Sequence, residues 1–450
     1  MRNVRVAISI AGSDSIGGAG IQADLKTFSA FGVYGTTAIT AVTAQNTFGV
    51  SNSLVLPGKL VYDQIRAVAE DSGIDAGKTG MLGNVEVIQS VTGAVKEYGF
   101  PLVLDPVMIA KSGASLLEKG AIEALKRKLI PESMCVTPNL DEVRVLAERE
   151  VRNVEEMMDA AEFISGEFGC EAVLVKGGHL NSPVAKDVLY YRGKIYEFES
   201  QRVEGCYHGT GCSLSAGIAA GLALGLGLVK AVERAKEMLD FGIRYSAKAG
   251  RGCDSVNPVA IMERKSLAFE MLGEMRQAVE RLSRIENATK IVPEVGMNIA
   301  YAMPFRYLKS VDDVLSLDGR IVRGKNRLAI PAGFEFGASR HLSRALIAYM
   351  QHFPEYRAVI NVRYDERLME RLRNAGLKLA SYDRRDEPED VKRREGATIP
   401  WGIQTAIEKS GRRPDVIYHL GDFGKEPMIL IFAKSPVELV EMLEAILEGY

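Results

Sequence analysis

Cysteine is scarce in this chain: five among 450 residues, at positions 135, 170, 206, 212 and 253, with no C-x-x-C pair. An odd number at wide spacing reads as reduced thiols in a cytoplasm, not as a disulfide framework. Excess charge of either sign is also lacking. Lys and Arg total 56 against 58 Asp and Glu, a net charge of −2. That balance argues against a non-specific nucleic-acid or membrane-surface protein and points to small-molecule partners. Long apolar runs are few. Leu214–Val229 approaches a membrane span in length, but it holds several glycines and lacks flanking anchors, so it reads as a buried core helix. Met1–Ile10 is too short and too mixed for a signal peptide. What is present is ordinary globular composition, 47% hydrophobic and 25% charged, over a length that exceeds one hydrophobic core. Two domains are expected.

The stretch around which the first domain is organised is Tyr207-His208-Gly209-Thr210-Gly211-Cys212-Ser213, which leads into the apolar run. A Gly-Thr-Gly turn entering a helix N-terminus makes an anion hole: outward N–H groups, room for close approach, and a favourable dipole. Cys212 would fall in the first helical turn, where a thiol can have its pKa lowered.

Upstream, Val4–Ile10 reads as a buried strand, followed by a glycine loop (Gly12 to Gly20) and a helical stretch from Ile21. Further strands are expected at Thr36–Ala41, Ala76–Gly80, Pro101–Leu104, Ser133–Val136 and Ala172–Val175, with helices between. The alternation predicts an α/β fold with a mostly parallel sheet, helices on both faces, and ligands at the carboxyl ends of the strands. The residues just after those ends are consistently polar: Gln45-Asn46-Thr47, Lys78-Thr79-Gly80-Met81, Asp105-Pro106-Val107-Met108, Thr137-Pro138-Asn139 to Glu142, and Lys176-Gly177-Gly178-His179.

Phosphoryl transfer needs a phosphate cradle, a divalent metal and a group to take the acceptor's proton. Gly209, Thr210, Gly211 and Cys212 supply the cradle. Asp105, Asn139 and Glu142 are oxygen donors suited to Mg²⁺, and Lys176 is a point charge for phosphate. Cys212 stands where a base would help. Asp24 and Gln45 offer hydrogen bonds to a polar ring, with Met81 and Val107 as apolar walls. His208 holds the turn in a structural reading at least as good as a catalytic one.

These motifs, with Ile10-Ala11-Gly12-Ser13-Asp14-Ser15, Gly17-Gly18-Ala19-Gly20-Ile21-Gln22-Ala23-Asp24 and Ala110-Lys111-Ser112-Gly113, resemble the hydroxymethylpyrimidine/phosphomethylpyrimidine kinases of the ribokinase superfamily over residues 1–262. The resemblance implies a ribokinase-like fold and two successive ATP-dependent phosphorylations of 4-amino-5-hydroxymethyl-2-methylpyrimidine. It implies that Gly12, Asp24, Gln45 and Met81 hold the ring, that Asn139, Lys176 and Gly209–Gly211 bind ATP phosphates, that Asp105 and Glu142 bind Mg²⁺, and that Cys212 is catalytic. Ile16 and Thr79 depart from the family's usual serine and isoleucine.

Texture changes near residue 260. Glu263–Lys290 carries apolar residues at helical spacing and is expected to be a linking or docking helix, about 263–289. Residues 290–450 read as a second, smaller α/β domain rich in arginine. Gly333–His341 is a glycine loop entering a helix, close in sequence to Arg320, Arg323, Lys325 and Arg327, which together suggest an anionic ligand. Gly421–Pro427 is another polar glycine loop. Asn298-Ile299-Ala300-Tyr301 and Asn361-Val362-Arg363-Tyr364 form a faint internal echo that reads as chance.

Pro293–Asn298, Asp318–Ile321, Gly337–His341, Asn361–Tyr364, Trp401-Gly402 and Gly424–Pro427 resemble the thiamine-phosphate synthase domain found fused behind such kinases. That resemblance implies condensation of the pyrimidine diphosphate with 5-(2-hydroxyethyl)-4-methylthiazole phosphate, releasing pyrophosphate. Arg320 and His341 are its expected key pair, with Ser339 and Lys425 as phosphate contacts. Two alternatives stand beside this reading: a kinase for another ring such as pyridoxal, and a second domain that senses thiamine phosphate without turnover. A homodimer is compatible with the resemblance.

Overall fold

A computed structural model of the chain describes residues 3–108, 117–178, 180, 184–325, 327–422 and 426–450. The chain divides into two compact units, Met1–Glu263 and Arg264–Tyr450. The first is built on β1 (Val6–Asp14), β2 (Tyr34–Asn46), β3 (Gly49–Val55), β4 (Ala76–Thr79), β5 (Leu102–Leu104), β6 (Cys135–Val136), β7 (Ala172–Lys176), β8 (Val184–Tyr191) and β9 (Lys194–Gln201). They form one sheet in the order β3-β2-β1-β4-β5-β6-β7-β8-β9. The run from β2 to β7 is parallel, and β3, β8 and β9 are added antiparallel at the two edges. Parallel strands joined by helical crossovers are covered on both faces, which is why β1, β4 and β5 are almost wholly buried and why the core has two separate apolar clusters. The β8–β9 hairpin turns on Arg192 and Gly193, both at positive φ (51° and 74°), the backbone that a two-residue hairpin turn demands.

The uncharged run does not form one helix. A helix spans Thr210–Ala223, the chain turns at Gly225 (φ 82°), and a second helix runs Leu228–Arg244. The small residues serve close packing between these two helices. A Cβ on Gly217 or Gly221 would come within 2.9 and 2.7 Å of Ala235 and Ala231. Among the described residues no helix is long and apolar enough to cross a membrane.

The cysteines correct the expectation of reduced thiols throughout. Cys206 and Cys253 are joined in a disulfide, while Cys135, Cys170 and Cys212 are free. The bridge sits at the start of β10 (Tyr207–His208) and β11 (Asp254–Ser255), a short parallel pair beside the Gly209 turn.

The second unit has β12 (Ile299–Ala302), β13 (Val314–Leu317), β14 (Val322–Arg323), β15 (Leu328–Ala329), β16 (Phe334–Phe336), β17 (Ala358–Arg363), β18 (Leu379–Ser381), β19 (Val416–His419) and β20 (Met428–Ala433). Seven make a sheet in the order β16-β13-β12-β17-β20-β19-β18, antiparallel except for β18 with β19. The charged stretch expected between domains is the helix Ala260–Arg284. From Arg264 onward it belongs to this unit: Arg264 pairs with Asp313 at 2.8 Å and Arg281 with Glu444 at 2.7 Å.

Candidate active sites

In the first unit the carboxyl ends of the parallel strands open into a cavity of about 1080 Å³. Gly12, Gln45, Gly80, Met81, Asp105, Val107, Asn139, Glu142, Lys176 and the Gly209–Cys212 turn all line it. The turn has the predicted form. Gly209 caps the helix in the left-handed region (φ 84°), and a Cβ there would strike the Gly18 carbonyl at 1.9 Å, so only glycine fits. A Cβ on Gly211 would lie 3.3 Å from Lys176 Nζ and 3.4 Å from Asp105 Oδ2, which sets both charged groups directly against the helix N-terminus. Lys176 Nζ donates to Asp105 Oδ1 at 2.8 Å and stands 4.0 Å from Glu142 Oε2. Burial would lower the Lys176 pKa, but Asp105 and Glu142 outweigh it and hold the ammonium charged. Burial, against Lys176, pushes the Glu142 carboxyl up to about 7. Glu142 is fixed by a capping box: its Oε2 accepts from Asn139 N at 2.8 Å, and Asn139 Oδ1 accepts from Glu142 N at 2.9 Å.

At the far side, the glycine loop after β1 is folded around Asp14. Its carboxylate accepts from the amides of Ile16 (3.1 Å), Gly18 (2.9 Å) and Ala19 (2.7 Å) and lies 3.2 Å from His208 Nε2. Burial would raise the Asp14 pKa, yet these bonds hold it below the ordinary value. The same His208 nitrogen lies 2.8 Å from Gln45 Nε2, so His208 ties the turn to the ring-binding side of the cavity. Neither Asp14 nor this histidine bridge was singled out for the site from sequence, although an aspartate just ahead of a glycine pair is an Asx-turn signature.

Two sequence expectations are corrected here. Asp24 does not line the cavity. It is wholly buried on the inward face of its helix, where its carboxylate accepts from Lys78 Nζ (2.9 and 3.1 Å) and Ser9 Oγ (2.6 Å). Cys212 is not an acidified thiol. Burial, joined by the negative charges of Asp24 and Asp105, pushes it up to about 11 against the pull of Lys78 and of the Gly20 amide. His179 and Ala110–Gly113 lie outside the described residues.

Phosphomethylpyrimidine kinase, as a family, matches residues 14–257. The chain belongs to that family. The thiamine-phosphate synthase ThiN family matches residues 274–445. Both parts occur together in the bifunctional thiamine biosynthesis protein ThiDN of Methanocaldococcus jannaschii, which is 32% identical over 446 residues, 99% of each chain. The hydroxymethylpyrimidine/phosphomethylpyrimidine kinase of Staphylococcus aureus is 37% identical over 59% of this chain and 98% of its own. Among solved structures, Bacillus subtilis pyridoxal kinase, an ADP complex, is similar with a TM-score of 0.55 at 34% identity, covering 58% of this chain and 99% of that one. The S. aureus pyridoxal kinase in complex with pyridoxal gives 0.54 at 31%, covering 58% and 95%. The chain is thus a ThiDN homologue, a ribokinase-like pyrimidine kinase domain followed by a thiamine-phosphate synthase domain.

In the synthase domain the expected residues gather about β13. Ser339 caps the helix Arg340–Met350, and its N–H donates to the buried Ser316 Oγ of β13 at 2.9 Å. His341 is exposed on the first turn of that helix. Arg320 follows the C-terminal end of β13, the end that holds Ser316, and donates to the Val295 carbonyl at 2.6 Å. The asparagine echo is a working contact: Asn298 N donates to Asn361 Oδ1 (2.8 Å), Asn298 Nδ2 donates to the Gly319 carbonyl (2.8 Å), and Asn361 Nδ2 donates to the Gly296 carbonyl (3.0 Å). The two side chains fix the turns that present Arg320. Sequence reading also missed His419, buried at the end of β19, whose Nδ1 accepts from Gly421 N at 3.1 Å. Burial, with the charges of Arg384 and His341, brings its pKa down to about 4. Lys425 lies outside the described residues.

Proposed function

We propose that the first unit phosphorylates the hydroxymethyl group of 4-amino-5-hydroxymethyl-2-methylpyrimidine and then the resulting monophosphate, with ATP as donor, in the cytoplasm. The observation that carries this is the Gly209–Cys212 helix N-terminus with Lys176 and Asp105 packed against Gly211, facing Gln45 and Met81 across one cavity. The backbone N–H groups of Thr210, Gly211 and Cys212 and the Lys176 ammonium would hold the transferring phosphoryl group where its charge develops. Gln45, Gly12, Met81 and Val107 would seat the ring. Cys212 Sγ, as thiolate, would take the hydroxyl proton as the oxygen attacks, and its raised pKa makes that thiolate scarce but strongly basic. In the second step the acceptor is a phosphate, which is already ionised and needs no such base.

Asp105 and Glu142 are the residues that would hold Mg²⁺. Mg²⁺ usually takes one or two carboxylates and completes its shell with waters and phosphate oxygens, which these two residues could share. When bound, the metal neutralises phosphate charge.

For the second unit we propose condensation of the pyrimidine diphosphate with the thiazole phosphate. Loss of diphosphate leaves a carbocation stabilised by the aminopyrimidine ring, which the thiazole nitrogen captures. The protein's task is to stabilise the departing pyrophosphate, with Arg320, His341 and the helix N-terminus at Ser339 assigned to it. ADP release measured on the pyrimidine alcohol and on pyridoxal tests the kinase: two ADP per pyrimidine are expected. Faster turnover of pyridoxal than of the pyrimidine would transfer the assignment to the pyridoxal kinases it resembles in structure.

A further inference from the structure

Gln45, near the end of β2, is held by the loop after β1 and by the residue ahead of the Gly209 turn, and the hydrogen bonds decide which way its side chain faces. Ser15 clamps its main chain: the Gln45 N–H donates to Ser15 Oγ at 2.8 Å, and Ser15 Oγ donates to the Gln45 carbonyl at 2.7 Å. Its carboxamide lies between His208 and Thr43. His208 Nε2 is 2.8 Å from Gln45 Nε2 and 3.2 Å from Asp14 Oδ2. Asp14 is buried, yet its bonds keep it ionised, and an ionised carboxylate only accepts. The contact with Asp14 therefore needs the hydrogen on His208 Nε2, and a ring nitrogen that carries hydrogen cannot accept from an amide N–H. The same conflict stands on the other side. Thr43 Oγ1 gives its one hydrogen to the Ser13 carbonyl at 2.9 Å, so none is left for Gln45 Oε1 at 3.3 Å. A half-turn of the carboxamide, which exchanges Oε1 and Nε2, resolves both: the oxygen accepts from His208 Nε2–H, and the NH2 donates to Thr43 Oγ1. Its second N–H is then left for the cavity that Gln45 lines. A Cβ on Gly18 would stand 2.6 Å from His208 Cδ2, so the imidazole lies close against the glycine loop.

We propose that His208 is a positioning residue that sets ring specificity: oriented by Asp14, its Nε2–H fixes the Gln45 carboxamide so that an N–H, not an oxygen, meets the acceptor ring. The ring this suits has a bare nitrogen to accept the bond. With their hydroxymethyl and methyl groups superposed, the pyrimidine and pyridoxal differ on one flank, where the pyrimidine has a ring nitrogen and pyridoxal a hydroxylated carbon. A fixed N–H favours the nitrogen. A carboxamide free to turn would also offer its oxygen to the hydroxyl, and the preference would relax. His208 touches no substrate and exchanges no proton with it.

The proposal rests on Gln45 seating the ring, as proposed above, and the variants separate the two. Steady-state ADP release by the full chain is measured on the pyrimidine alcohol and on pyridoxal for His208→Leu, Gln45→Leu and the double variant. His208→Leu is expected to raise KM for the pyrimidine alcohol roughly tenfold, with a smaller change in kcat, and to lower the preference for it over pyridoxal roughly tenfold. With Gln45→Leu already in place, adding His208→Leu should cost nothing further, since His208 acts only through Gln45. A merely structural role would depress turnover of both rings alike and leave the preference unmoved. That result, or effects of the two substitutions that multiply, would overturn the proposal while Gln45 keeps its role. Gln45→Leu with KM unchanged would remove the ring seat itself, and the proposal with it. Should His208→Leu fail to fold, His208→Asn, whose amide is too short to reach Gln45, is read in the same way. Failure of both to fold would make the residue structural and overturn the proposal too.

Discussion

The two units use the same building blocks and differ in how their strands run. In the kinase unit β1, β4, β5, β6 and β7 are parallel, so every strand end delivers its polar residues to one edge. Gly12, Met81, Asp105, Asn139 and Lys176 meet in a single cavity because of that direction, though they are spread over more than half of the unit's sequence. In the synthase unit β16, β13, β12, β17 and β20 are antiparallel to their neighbours, so successive loops leave at opposite edges. Arg320 and Ser339 accordingly follow oppositely directed strands, and only side-chain bonds such as Asn298 to Gly319 show how the loops are held. A parallel sheet therefore lets sequence order stand in for geometry, whereas an antiparallel one does not.

The contrast can be broken or sharpened by experiment. The largest effect is expected at Cys212. Replacing it with alanine should slow the first phosphorylation by about 10²–10⁴ and the second far less, seen as accumulation of neither product from the alcohol but near-normal ADP release from the monophosphate. In the same view kcat/KM for the alcohol should rise with pH toward the thiol's value of about 11. Lys176→Ala should reduce both kinase steps by roughly 10²–10³ while leaving pyrophosphate release by the other unit unchanged. An effect on both activities would mean that the two sites are not independent.

Stability offers a third comparison. The Cys206–Cys253 bridge closes 47 residues of sequence around the Gly209 turn. Reduction should cost the kinase unit about 4 kcal/mol on the loop-entropy scale, measured as the drop in its denaturant midpoint with dithiothreitol, and the synthase unit nothing. Smaller still is the contribution of Glu142, whose carboxyl rises from 4.5 to about 7 on folding. The folded state then binds more proton than the unfolded one, so this contribution is fully present below pH 4.5 and is lost as pH rises to about 7. Glu142→Gln should flatten that part of the stability profile, read as Tm against pH.

How much of this was legible in sequence follows from the same physics. The Gly-Thr-Gly-Cys turn, the strand-end Asp105 and Lys176 and the Asn139 cap all act through local backbone, and local pattern finds them. Asp24 was misplaced because its role depends on a partner 54 positions away. Read alone, its helix carries Ile21, Asp24, Phe28 and Phe31 on one buried stripe, and that stripe already points inward rather than to the cavity. The bridge between Cys206 and Cys253 was missed for a like reason: it is set by the short parallel contact of β10 and β11, which no spacing rule reveals. Asn298 and Asn361 looked like coincidence until β12 and β17 were seen to pair.

The account's central claim is that one chain holds two complete active sites, and pyrophosphate release tests it most directly. The full-length protein would be given the pyrimidine diphosphate and thiazole phosphate with Mg²⁺ and no ATP. Release matched by thiamine phosphate, lost in Arg320→Ala and His341→Ala and retained in Lys176→Ala, is the predicted result. No release from a chain that still phosphorylates the pyrimidine alcohol would contradict it and leave the second unit as a sensor of thiamine phosphate.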